Sequence, residues 1–240
     1  MNQAQRTIVV TGAGSGIGRA CCLRLAEPGS HVVAIDRNGE AAADVAARID
    51  ATDATSRAVE CDVTRPEDVE AAFEPLSDVD VLVNSAGLDE EKALEDITAD
   101  DMARLYEVNA VGLFGVSRAA IARMPDGGRI VNIGSRAYLG SPRHAHYVAS
   151  KAAVVGLTRT MALELRTRQI AVNAVAPGPV RTPFLSGRSE ENLRQLAASY
   201  PGGRLPEADD VAQAVAFFAD PATRFVTGQV LLLDGGRSLG

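Results

Sequence analysis

The sequence predicts an α/β protein: a doubly wound, seven-stranded parallel sheet with helices on both faces, built as a single domain. Three observations predict it. Short β-branched runs alternate with longer segments of helical period along the chain. The strand-like runs lack polar alternation, so both of their faces are buried, which calls for helices above and below a parallel sheet with right-handed crossovers. No repeat, low-complexity tract or linker divides the 240 residues, a length that fits one large α/β domain.

In order, RTIVVT (6–11) reads as the first strand and GIGRACCLRLAEPG (16–29) as the first helix; HVVAID (31–36) and GEAAADVAARI (39–49) form the second pair. RAVECDV (57–63) precedes PEDVEAAFEPL (66–76), and DVDVLVNSAG (78–87) precedes one long helix, ADDMARLYEVNAVGLFGVSRAAIARM (99–124). The second half adds the strand GRIVNIGS (128–135), the helix HYVASKAAVVGLTRTMALEL (146–165), the strand QIAVNAVAPG (169–178), the helix EADDVAQAVAFFAD (207–220) and the strand QVLLLDGG (229–236). Residues 178–205 have no clear period, and a long irregular stretch inside a compact α/β domain reads as a substrate lid.

Composition narrows the function. A chain that is 46 % hydrophobic and 23 % charged, with no apolar run near the roughly 20 residues of a membrane span, reads as soluble. Its formal charge of −7, with arginines scattered among more numerous acids, disfavours a nucleic-acid partner. The first residues run straight into an apolar strand, unlike a secretory signal, and Cys21, Cys22 and Cys61 offer neither a paired framework nor a metal or redox spacing. A cytoplasmic setting is expected. No His, Cys or carboxylate cluster has metal-ligand spacing, so no metal is expected.

The segment VVTGAGSGIGRA follows the first strand and opens the first helix, the context in which a glycine-rich turn holds a pyrophosphate on backbone N–H groups. Gly12, Gly14, Gly16 and Gly18 read as T-G-x-x-x-G-x-G rather than G-x-G-x-x-G. About 20 residues on, Asp36 ends the second strand, where a carboxylate accepts hydrogen bonds from the adenosine ribose and repels a 2′-phosphate. Arg37 follows and could contact such a phosphate. With Asp36 present and no basic residue in the glycine turn, NAD is favoured over NADP. An aspartate at a strand end is otherwise a common turn former.

Only two of the 24 basic residues are lysines, and one of them, Lys151, stands four places after Tyr147. On a helix these two share a face. A phenol with a pKa of about 10 is a poor base at neutral pH, and a nearby ammonium lowers it. Ser135 ends a strand at the sheet edge where ligands of such folds bind, so its hydroxyl can point at the same reacting oxygen.

In these residues the chain resembles the short-chain dehydrogenase/reductases, over nearly its whole length. The likeness rests on TGAGSGIG, on NSAG at 84–87, on Asn109 within YEVNAVG, on Ser135, on YVASK and on APGPVRT. It implies a Rossmann-type fold with Tyr147 as general acid/base, Lys151 lowering its pKa and binding the nicotinamide ribose, Ser135 holding the substrate oxygen and Asn109 fixing a proton-relay water. It also implies that Ser15 and Ile17 lie along the dinucleotide, that Asp62 and Val63 border the adenine, and that Asn84, Ala86 and Gly87 pass behind the ribose. Val180 and Thr182, after Pro177 and Gly178, are implied to meet the nicotinamide carboxamide. Ser85 stands where the family usually shows a second asparagine. A homotetramer is a further implication.

The reading is an NAD-dependent oxidoreductase acting on a secondary alcohol or its ketone. The alternative, a non-catalytic NAD-binding redox sensor, is expected to lack part of the tetrad, which is complete here. A sugar-nucleotide epimerase typically has a longer substrate domain, and an enoyl reductase a wider tyrosine-to-lysine spacing. Arg136, Tyr138, Arg143, His144 and His146 precede or flank the tyrosine, and Arg181, Phe184 and Arg188 stand on the lid; they open the reading of an anionic or hydroxyl-rich substrate. Acidic DEEK at 89–92 opposes a simple charge argument.

Overall fold

The structure is a computed structural model and describes residues 5–185, 187, 189–200 and 202–239. Seven strands form one sheet, every neighbouring pair parallel, in the order β3-β2-β1-β4-β5-β6-β7. They are β1 (Arg6–Thr11), β2 (Ser30–Asp36), β3 (Thr55–Glu60), β4 (Val81–Asn84), β5 (Arg129–Ile133), β6 (Ala171–Pro177) and β7 (Val230–Leu233). The order reverses between β1 and β4, so a crevice opens beyond their carboxyl ends, where ligands of open α/β sheets bind.

Both faces of the sheet are covered, as its apolar strands require. Ile8, Val10, Val32 and Ala34 pack with α1 (Gly16–Leu25), α2 (Gly39–Asp50) and α8 (Ala208–Ala219) through Cys21, Leu25, Ile49, Val211 and Phe218. Their neighbours Val9, Val33 and Ile35 point the other way, into a second core with α3 (Pro66–Phe73), α5 (Leu113–Ile121) and α6 (Ala145–Glu164). The alternation is that of strands buried on both sides. β3 and β7, at the two edges, are less covered. All three cysteines are buried and free. Among the described residues, no helix is long and apolar enough to cross a membrane.

Two expectations need correction. The long helix read over 99–124 is α4 (Ala99–Tyr106), a π-helical stretch over Glu107–Gly112, and α5. The irregular stretch 178–205 contains a short helix, α7 (Glu190–Ala198), whose Ser189 side chain accepts from the Asn192 N–H as its N-cap.

The second core also holds a chain of buried polar groups. Asn84 Nδ2 on β4 donates to Ser117 Oγ on α5 at 3.0 Å and to Asn132 Oδ1 on β5 at 2.9 Å. Asn132 Nδ2 donates in turn to Thr158 Oγ1 on α6 at 2.9 Å. This network, in which Asn84 Oδ1 alone lacks a hydrogen-bond partner, fixes the two helices against β4, at the crevice, and β5 beside it. Asn132→Ala takes one hydrogen-bond partner each from the Asn84 amide and the Thr158 hydroxyl in a dry interior. It is expected to cost about 2–4 kcal/mol, read as a fall in Tm of roughly 6–12 °C.

Candidate active site

The turn after β1 is shaped by what cannot fit there. Gly12 has φ +63°, and a Cβ on it would lie 2.8 Å from the Ala86 N, so the turn and the segment after β4 meet backbone to backbone. A Cβ on Gly18 would come within 2.0 Å of the Gly12 carbonyl oxygen, so α1 packs directly on the turn. Thr11 Oγ1 accepts from the Ser85 and Ala86 N–H groups at 3.1 and 3.2 Å, which holds this wall of the crevice in place. Ser15, at the N-cap of α1, makes no side-chain cap hydrogen bond, and the first turn carries no acid. The N–H groups of that turn, Gly16 to Gly18 with Ile17 between, therefore suit an anion.

Asp36 sits at the end of β2 with its carboxylate fixed from two sides, by the Gly14 N–H at 2.8 Å and the Asn38 N–H at 2.9 Å. A hollow beside it is lined by Arg37, Glu60, Asp62, Arg65 and Asp68 among others. The Thr64 backbone and hydroxyl, both donating to Asp62, hold that carboxyl below its ordinary range, with Arg37 and Arg65 adding to the effect. Val63 packs against Gly112 of the π-helical stretch, where a Cβ would lie 3.0 Å from Val63 Cγ2.

Across the crevice, Pro177 ends β6 and the Gly178 N–H donates to the Leu233 carbonyl at 3.0 Å. Val180 is buried in the first core, and Thr182 lies against Gly16, 3.3 Å from where its Cβ would be. The two ends of the sequence motif set thus face each other over the glycine turn.

Asn109, buried in the π-helical stretch, clamps one residue from both sides. Its Oδ1 accepts from the Leu88 N–H and its Nδ2 donates to the Leu88 carbonyl, both at 2.8 Å, and Nδ2 also donates to Ser150 Oγ at 2.9 Å. The side-chain amide is thus committed to the protein. Gly87 lies between this amide and Lys151: a Cβ there would be 3.2 Å from Asn109 Oδ1 and 3.5 Å from Lys151 Nζ.

Tyr147 and Lys151 share a face of α6, with Nζ 5.8 Å from the phenol ring centroid. The Lys151 ammonium is buried and donates to the Ile133 carbonyl at 3.0 Å. Burial pulls its pKa down from 10.5 to about 8, while Asp89 pushes the other way. Tyr147 does not show the depressed pKa that the sequence suggests. Burial, then the negative charge of Asp89, push the phenol well above its ordinary value, and the hydrogen-bonding Ser135 side chain only partly offsets them.

The basic residues near this site are largely engaged by carboxylates. In the loop after β4, Glu91 takes Arg143 at 2.8 Å and Asp89 faces His144 Nε2 at 3.8 Å. Glu90 pairs with Arg104 and lies 3.6 Å from the buried His146 Nε2, while Lys92 pairs with Asp101 of α4. The Lys92 N–H also donates to the Arg143 carbonyl at 2.8 Å. Arg181 lies 3.4 Å from Glu207. Arg136 Nε is buried without a hydrogen-bond partner, and Arg188 lies outside the described residues. Among the described residues, no three His, Cys, Asp or Glu side chains are grouped to hold a metal ion. Sequence reasoning passed over Thr11, Leu88 and Ser150 as positioning groups; only Thr11, beside the first glycine, carried any signal.

A family model described as enoyl-(acyl carrier protein) reductase matches residues 12–238. The chain is similar to the (2S)-[(R)-hydroxy(phenyl)methyl]succinyl-CoA dehydrogenase subunit BbsD of Thauera aromatica, 38 % identical over 100 % of this chain and 99 % of the relative. It is also similar to a short-chain type dehydrogenase/reductase of Picea abies, 40 % identical over 97 % of this chain and 92 % of that one. Among solved structures, the angucycline C-6 ketoreductase LanV with bound NADP matches with a TM-score of 0.92 and 34 % identity, covering 98 % of this chain and 96 % of that one.

The buried ammonium has a measurable cost. Between about 8 and 10.5 the unfolded chain binds more protons at Lys151 than the folded one, so this group makes stability rise with pH across that window, and its penalty is present in full below about pH 8. Relative to wild type, the Tm of Lys151→Met should therefore be highest near neutral pH, by a few degrees, and decline as pH is raised toward 10. A Tm difference that stays flat across this range in calorimetry contradicts the assignment.

Proposed function

The chain belongs to the short-chain dehydrogenase/reductase family, and on that premise we propose that it is an NAD-dependent oxidoreductase interconverting a secondary alcohol and its ketone, with Tyr147 as the general acid/base. One observation carries the reading. A phenol, a serine hydroxyl and a buried ammonium, at Tyr147, Ser135 and Lys151, converge at the carboxyl edge of the sheet, beside the glycine turn whose first-turn N–H groups suit an anion.

The fit to a dinucleotide rests on the cradle itself: side-chain-free Gly12 and Gly18, the uncapped N-terminus of α1, and a carboxylate at the end of β2. When bound, a nicotinamide dinucleotide supplies the hydride chemistry. Gly12 would leave room for its pyrophosphate, which the N–H groups of Gly16, Ile17 and Gly18 with Ser15 would hold; Asp36 would accept from its adenosine ribose, and Asp62 and Val63 would flank its base. Asn84, Ala86 and Gly87 back the ribose, while Val180 and Thr182, after Pro177 and Gly178, face the carboxamide.

Ser135 donates to the substrate oxygen and fixes its direction. Tyr147 exchanges a proton with that oxygen, giving it up when a ketone is reduced and taking it when an alcohol is oxidised. With the phenol held neutral by burial and by Asp89, the resting site is ready to act as an acid. Oxidation requires phenolate, which the Lys151 ammonium favours once its nitrogen turns toward the phenol oxygen. Asn109 holds the Leu88 backbone from within the π-helical break, a setting in which it would fix a proton-relay water.

Asp36 supports NAD in preference to NADP. Its carboxylate is anchored by two N–H groups, and Glu60, Asp62 and Asp68 surround the same hollow, so a 2′-phosphate there meets negative charge that Arg37 and Arg65 only partly balance. The bound NADP belongs to LanV. A cytoplasmic homotetramer completes the proposal: the free buried thiols suit a reducing compartment. Exposed apolar side chains on α4, α5 and the π-helical stretch between them (Tyr106, Val111, Phe114), and others at the opposite end of the chain (Phe217, Phe225, Leu231), suit a dimer of dimers. Residues 178–205 act as the substrate lid.

Tyr147→Phe should lower kcat for NADH-linked turnover of secondary alcohols by roughly 100- to 10,000-fold with dinucleotide affinity retained; near-normal turnover removes the acid/base assignment. Asp36→Ala should raise the NADP-to-NAD ratio of kcat/KM by about tenfold or more, and an unchanged ratio rejects Asp36 as the selector.

A further inference from the structure

Three segments of the chain meet at one side chain, Tyr200. The first leaves β6 at Gly178, whose N–H is held by the Leu233 carbonyl at the end of β7 at 3.0 Å. The second is the irregular stretch that follows, which is tied at its base: the Arg181 N–H donates to the Pro206 carbonyl at 2.9 Å, and Arg181 bridges to Glu207. Within it, Tyr200 stands two residues past α7 and returns its ring to Gly178, leaving only 4 % of the residue exposed.

The third segment is the turn after β7. Gly235 and Gly236 both take left-handed φ, +64° and +83°, a conformation that side chains resist. Asp234 braces this turn by accepting from the Gly236 and Ser238 N–H groups, each at 3.0 Å, and from the Ser238 hydroxyl. The turn carries the Arg237 guanidinium over the Tyr200 ring, 5.0 Å from its centroid, a cation–π contact that helps to fix the ring.

At the far end of the ring, the Tyr200 hydroxyl is buried and has no hydrogen-bond partner. It stands where a side chain at position 178 would go: a Cβ on Gly178 would land on this oxygen, and 3.1 Å from the Cζ that bears it. A buried hydroxyl without a partner lowers stability, and phenylalanine would fill the same place without that cost. What the oxygen adds is bulk at one point, set against Gly178.

We propose that Tyr200 is a positioning residue for the nicotinamide end of the dinucleotide site: its hydroxyl props the Pro177–Gly178 segment and so sets where Val180 and Thr182 stand. This rests on the reading of Val180 and Thr182 as neighbours of the nicotinamide carboxamide. The prop works by volume rather than by a hydrogen bond. Without the oxygen, Gly178 settles toward the ring; with a methyl on residue 178 and the oxygen still present, the segment is pushed away from it. Either displacement moves the wall that orients the nicotinamide, and small misplacements of that kind are costly. A methyl at 178 takes up the space of the lost oxygen at 200, so the two changes offset each other when combined.

The decisive experiment is a cycle of Gly178→Ala, Tyr200→Phe and the double variant, read by fluorescence titration with NADH and by calorimetry. Gly178→Ala is expected to weaken NADH binding about tenfold or more and Tyr200→Phe about fivefold, with the double variant back to within about twofold of wild type. The Tm of Tyr200→Phe is expected to be unchanged or raised; a role in folding alone gives the opposite split, a lower Tm with full affinity. Unchanged affinity in Tyr200→Phe, or a double variant that binds no better than Gly178→Ala, overturns the proposal and leaves the dinucleotide reading standing. If Gly178→Ala does not fold, Tyr200→Phe decides alone: weaker binding without a loss of Tm supports the prop, and full affinity overturns it. A wild-type protein that binds no NADH overturns the dinucleotide reading itself, and the proposal with it.

Discussion

The functional edge of this protein depends on one close approach, that of the turn after β1 to the segment after β4. A side chain at Gly12 would collide with the Ala86 backbone, and the Thr11 hydroxyl takes up the two N–H groups that this approach brings near it. The contact lies where the strand order reverses, so it forms the floor of the crevice. Gly87 continues from it to within reach of Asn109 and Lys151. The cradle on one side and the tyrosine site on the other are thus registered against each other by backbone, which deforms less than side chains do.

The second constraint is the break in the helix that carries Asn109. A regular α-helix from 99 to 121 would direct the amide differently; the π-helical turn lets it reach Leu88 and Ser150 together. Ser150 Oγ in turn donates to the Tyr147 carbonyl at 2.8 Å. One buried side chain therefore links α4 and α5, the loop after β4 and the helix bearing the tyrosine. π-turns recur at functional positions for this reason: they redirect a side chain at the cost of local helix regularity.

Much of this was legible in the sequence, and the limits follow from physics. Apolar runs without alternation foretold a two-sided sheet, because a strand buried on both faces has no polar side to show. Tyr147 and Lys151 were legible because helical spacing alone brings them together. The π-helical turn was not, since EVNAVG keeps a helical apolar pattern through the break. Nor was the depressed pKa expected for Tyr147 found: burial and the charge of Asp89 raise the phenol, and both come from tertiary contacts that helical spacing does not reveal. The fates of Arg143, His144 and His146 were equally hidden. Their partners lie more than 50 residues away in the chain, and a row of cations reads the same whether it awaits a ligand or is already held by acids.

The way the loop after β4 is joined to the loop before α6, by the Lys92 N–H on the Arg143 carbonyl and by charge pairs, has a consequence for how the site meets its surroundings. The glycine turn and the segment it meets are held by backbone approaches and neutral hydroxyl bonds, which dissolved salt hardly affects. The wall beside Tyr147 is held largely by charge pairs at Arg143 with Glu91, Arg104 with Glu90 and Lys92 with Asp101, which are partly open to solvent and weaken as the Debye length contracts. The two halves of the crevice thus answer differently to ionic strength: the shape of the glycine turn holds nearly constant, while the wall beside Tyr147 loosens as salt rises.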